Sequence, residues 1–187
     1  RNLKSESKFS TDYSDVSKNY KYFDVYSHPI TSRYGDVYWT MMDDVQLPEN
    51  IVNEFNNNTM AIVGYEMDQV FKGVEDVSLP ITWAYNHHYI AYILGGDSKL
   101  INYAVLRDSD HGYYNHGAKK TWTVYEGVKI DNIPNTQMFS EGNGGESRVS
   151  FHGYPSNMAQ LIRSPKIFKL QPMQIDTRNR DPKYIND

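Results

Sequence analysis

The stretch Leu79 to Leu94, LPITWAYNHHYIAYIL, decides the fold class. Its central part, Trp83 to Tyr92, is dense in rings, which lose rotamer freedom on a helix and pack well on a pleated strand. Comparable short runs recur at Tyr34 to Met42, Met60 to Val70, Lys99 to Leu106, Lys120 to Ile130, Ser147 to Tyr154 and Ile167 to Ile175. Between them stand Gly35-Asp36, Asn56-Asn57-Asn58, Gly95-Gly96-Asp97, Asn115-His116-Gly117 and Gly142-Asn143-Gly144-Gly145, each able to supply a residue with positive φ. Many short strands at such spacing predict an all-β, antiparallel β-sandwich of jelly-roll type. One short helix is expected with Pro48 at its first position and Ile51, Val52 and Phe55 on one side of the following turns.

The 187 residues fit one domain with its own core. Residues 1–21 are polar and without period, and are read as an N-terminal arm, leaving 22–187 as the sandwich. Net charge is -4 and the pI about 5.9, with Lys and Arg scattered, so no nucleic-acid footprint is present. No run of 18 apolar residues exists to span a membrane as a helix, and Ile90 to Leu94 is far too short. The opening at Arg1 leads us to expect a processed product, and the glycosylation triplet Asn57-Asn58-Thr59 fits a secreted, extracellular setting.

The chain has no Cys, so any transition-metal site must draw on His, carboxylate or Met. Five of its six His residues lie in three settings: the pair His87-His88, then His111 and His116, then His152. Neighbours on a regular strand point to opposite faces, so His87 and His88 can serve one ion only at a strand end, a bulge or a strong twist. Imidazoles within an aromatic strand also need polar partners if buried. Three imidazoles suit copper and equally zinc. Met173, beside Pro172, is a candidate soft donor, although Met is more often core filling.

The order Leu47-Pro48, Ala61-Ile62-Val63-Gly64-Tyr65-Glu66, Asn86-His87-His88-Tyr89 and Gly145-Glu146 through His152-Gly153-Tyr154-Pro155 resembles the first domain of the copper type II, ascorbate-dependent monooxygenases. The likeness covers roughly residues 47 to 177 through short motifs. It implies an eight-stranded jelly roll in which His87, His88 and His152 hold an electron-passing copper, with His111, His116 and Met173 as possible additional ligands. The family's first domain carries disulfides, which a chain without Cys cannot form. Its oxygen-activating second copper needs a second domain, so the resemblance implies a single copper and an oxidoreductase role short of complete monooxygenation. The chain is also compatible with being a piece of a longer enzyme.

Other features carry less. Asp108-Ser109-Asp110-His111 reads as a polar turn that can hold a hard cation, and Glu66 and Asp68 as carboxylates sharing one face of a strand. The Gly142 to Gly145 segment lacks the Lys-Ser/Thr pair of a phosphate loop. Two further readings stand beside the copper domain. The 16 Tyr residues suit a structural or interaction surface, including self-assembly. Alternatively, Trp39, Trp83 or Trp122 offers a stacking platform for carbohydrate.

Overall fold

A computed structural model describes residues 20–104, 120–142, 151–155 and 157–181. The strands in chain order are β1 (Val37–Trp39), β2 (Val45–Gln46), β3 (Thr59–Ile62), β4 (Gly64–Tyr65), β5 (Val70–Phe71), β6 (Val74–Ser78) and β7 (Ala84–Gly95). They continue with β8 (Lys99–Ala104), β9 (Lys120–Tyr125), β10 (Thr136–Glu141), β11 (His152–Gly153), β12 (Gln160–Arg163) and β13 (Pro165–Asp176). The helix α1 (Glu49–Glu54) follows Pro48, which caps it instead of entering its first turn. The fold is an all-β, antiparallel sandwich.

The long strands β7 and β13 form the spine of the main sheet, ordered β1-β13-β7-β10, with β2 also on β13. Tyr89, Ala91 and Ile93 alternate inward along β7. Their register partners Phe139, Leu170 and Phe168 share that face, across β10 and β13. Met60 of β3, Ile162 of β12 and Ile51 of α1 close over them as the second layer, with Tyr65 of β4 packed against the cluster. Ile162 is fully buried, at 0% exposure. Positions 60–70, expected as one run, break into β3, β4 and the first residue of β5, with Val63 and residues 66–69 outside the strands. Strand β12 lies outside the expected runs.

Two polar hubs fix the edges. Asn135, 2% exposed, donates from Nδ2 to the carbonyls of Glu126 (2.8 Å) and Val128 (2.9 Å), and from its backbone N–H to Glu126 Oε2 (2.9 Å). Its own carbonyl accepts from Gly95 N–H (2.7 Å) and the Ser98 hydroxyl (2.8 Å), so one side chain and its backbone tie the base of the β8-β9 ribbon to the end of β7. At the other end, buried Asp176 accepts from Ser32 (3.0 Å), Arg180 (3.0 and 3.1 Å) and the Arg178 N–H (3.1 Å).

Burial pushes the Asp176 carboxyl up, but the hydrogen bonds from Arg180, Ser32 and the Arg178 backbone, together with the Arg180 charge, hold it below the ordinary carboxylate value. A depressed carboxylate contributes stability above its unfolded pKa and loses it as pH falls through the folded one. Asp176→Asn should therefore lower stability by about 1–2 kcal/mol at neutral pH and flatten the acid limb of the stability curve. Urea midpoints measured from pH 7 down to pH 2 check this; parallel curves for the two proteins would refute it.

Candidate metal centre

The His pair lies where the β7-β13 ladder breaks step. Met173 pairs with His88 and Gln174 with Asn86, so His87 is an extra residue on β7 and the two strands form a β-bulge there. Two consecutive residues opposing one partner lean toward the same side of the sheet. The His87 and His88 rings accordingly lie 3.8 Å apart between centroids, tilted 38°. The bulge thus meets the condition under which adjacent imidazoles can serve a single ion.

His87 Nδ1 is 3.4 Å from the Tyr85 hydroxyl, and the two rings are tilted against each other. Burial, and then the neighbouring His88, lower the His87 pKa from its ordinary value. It is neutral near pH 7, the form in which imidazole has a lone pair to give. His88 Nδ1 is buried without a hydrogen-bond partner. A buried polar nitrogen left unsatisfied is costly, and a bound cation would remove the cost. Tyr89 next to it points into the core, so strand alternation puts His88 on the opposite, outer side, with its register partner Met173.

His152 sits elsewhere. It is on β11, where it pairs with Tyr65, and its ring stacks on the Tyr65 ring at 4.8 Å and 11°. Its Nε2 lies 3.2 Å from Glu141 Oε2, within ion-pair range but off the line of a hydrogen bond, since the same atom is buried without a hydrogen-bond partner. Glu141 is the register partner of Tyr89 and therefore belongs to the core side of the sheet. Burial raises the phenol pKa of Tyr65, Tyr89 and Tyr154; Tyr154 and Glu141 add to the shift at Tyr65, and Tyr65 and Glu141 to that at Tyr89. These phenols stay protonated and neutral at physiological pH.

The structure therefore brings His87 and His88 together and gives His152 a separate setting. Among the described residues, no three His, Cys, Asp or Glu side chains gather as a group that could hold a metal ion. His111 and His116 lie outside the described residues, as does the Asp108 to His111 turn. Glu141 carries no signal in the sequence, because its place beside His152 follows from the β10-β7 register together with the packing of the separate β4-β11 ribbon.

Glu66 and Asp68 do not share a strand face. They fall in the connector between β4 and β5, where Asp68 accepts from Gln69 N–H and from the Ser78 hydroxyl. Asn57 is exposed in a turn at φ 57°. Arg178 lies 3.7 Å over the Trp83 ring, and Lys169 5.3 Å over that of Trp122. No helix among the described residues is long and apolar enough to cross a membrane. No family model, no curated protein and no solved structure matches the chain.

Proposed function

We propose that this chain is a copper-binding β-sandwich domain in which His87 and His88 supply the imidazole ligands. The observation that carries the reading is the bulge at His87, which turns two sequence neighbours toward one side and leaves His88 Nδ1 buried and unsatisfied. The absence of Cys favours imidazole chemistry, and zinc is the competing ion. The resemblance to the electron-passing domain of the ascorbate-dependent monooxygenases belongs to the same proposal, with its jelly-roll strand order and oxidoreductase role. Its three-histidine ligand set does not carry over as a unit, since His152 is held by Tyr65 and Glu141.

The test is copper content by elemental analysis after loading and dialysis against a weak chelator, on the parent and on His87→Ala, His88→Ala and His152→Ala. The expected result is near-stoichiometric copper in the parent and in His152→Ala, with at least tenfold less in the two pair variants. Equal trace copper in all four proteins would sink the reading. Loss in His152→Ala, with its fold intact by circular dichroism, would return the third imidazole to the site.

A further inference from the structure

We propose that Met173 completes this site as a thioether ligand and that the resulting set takes Cu(I) in preference to Zn(II); the inference rests on the His-pair reading above. Met173 is the residue directly across the ladder from His88, at the step where the bulge begins. Cross-strand partners on one face stand about 4.5–5.5 Å apart between Cβ atoms, and an unbranched Met reaches across that gap by rotation about its own bonds. Asp176 and Glu141 are both engaged elsewhere, with Arg180 and His152. With no third His, Cys, Asp or Glu gathered beside the pair among the described residues, the soft sulfur is the donor that the fold places there.

Charge favours the monovalent ion. Two neutral imidazoles and a thioether bring no negative charge, so a divalent cation would keep its full charge in a half-buried place, where desolvation penalises it more than a monovalent one. Zinc sites also commonly use four donors, with thiolate or carboxylate among them, whereas a thioether with imidazoles suits Cu(I). The outer strand adds protection: Trp39 on β1 pairs with Met173 from its other side, continuing the row Trp39, Met173, His88 across three strands.

The experiment measures Cu(I) affinity anaerobically, under ascorbate, by competition with bicinchoninate, and Zn(II) affinity by competition with a chromophoric chelator. The proteins are the full chain, Met173→Leu and His88→Ala. Leu conserves volume and apolarity, so the fold should hold, which a thermal melt checks. Met173→Leu is expected to bind Cu(I) at least tenfold more weakly with Zn(II) affinity within twofold, and the Met173 methyl resonance of the parent should shift on adding Cu(I). His88→Ala should lose both ions. If Met173→Leu binds Cu(I) within twofold of the parent and the methyl resonance stays in place, the thioether proposal fails while the His pair stands. If the parent competes for neither ion, the His-pair reading itself fails and the thioether ligand with it.

Discussion

Replacing Ile162 with Ala is expected to lower the unfolding free energy by about 3–5 kcal/mol, the upper part of the range for truncating a buried aliphatic side chain. Ile162 is at 0% exposure and pairs with Met60, itself in the core, across the β12-β3 ribbon. The ribbon is only two strands wide, so it holds its place over the main sheet largely through such inward side chains. Losing three carbons there removes buried surface and leaves a void that neighbouring backbone cannot easily close. Urea denaturation of Ile162→Ala beside Ile162→Val gives the measure, with about 1 kcal/mol expected for the conservative change. A cost under 1 kcal/mol for the Ala variant would show that the second layer is not anchored here.

The second large effect is expected at Gly95, where even Ala should destabilise by about 3 kcal/mol, because overpacking against backbone has no cheap relaxation. An added Cβ would come within 2.6 Å of the Ser164 carbonyl oxygen and 2.8 Å of its carbonyl carbon. Those atoms cannot retreat easily. Ser164 is held at φ 46°, its N–H donates to the Asn58 carbonyl at 2.8 Å, and its own carbonyl accepts from Gly96 N–H at 3.1 Å. The Gly95 N–H is in turn bound to the Asn135 carbonyl, so moving the glycine instead would disturb that hub. Thermal melts of Gly95→Ala and, for contrast, of Gly35→Ala, whose added methyl meets nothing within 4 Å, separate close approach from backbone freedom. Equal losses at both positions would refute the crowding account.

The class of fold was legible because β7 carries a long aromatic and aliphatic run and β13 a series of apolar residues interleaved with Lys and Gln, patterns that suit pleated strands. Strand β12 was not legible. Gln160 to Arg163 has two apolar residues among polar ones, and only its pairing with β3 makes Ile162 the most buried side chain of the core. At the site, the sequence pointed to His87 and His88 and named the bulge as one condition for their working together, but could not place one. A bulge is a property of two strands in register, and the partner lies some eighty positions downstream at Met173 and Gln174. The same holds for His152: nothing local to Phe151-His152-Gly153 tells whether its ring meets the His pair or a carboxylate on β10.

Strand β13 lies between β1 and β7 in the sheet, although it is the last of the three to leave the ribosome. The tie from Ser32 to Asp176 closes a loop of 144 positions. During synthesis, the segment around Val37 to Trp39 must therefore wait, without its ladder, until the chain past residue 170 has emerged. Such late, non-local closure slows folding and lengthens the time that strand-forming sequence stands open to mispairing. Two tethers at the far end of β13, the Ser32 hydroxyl on Asp176 and the Arg178–Trp83 stack, close this seam once the last strand arrives.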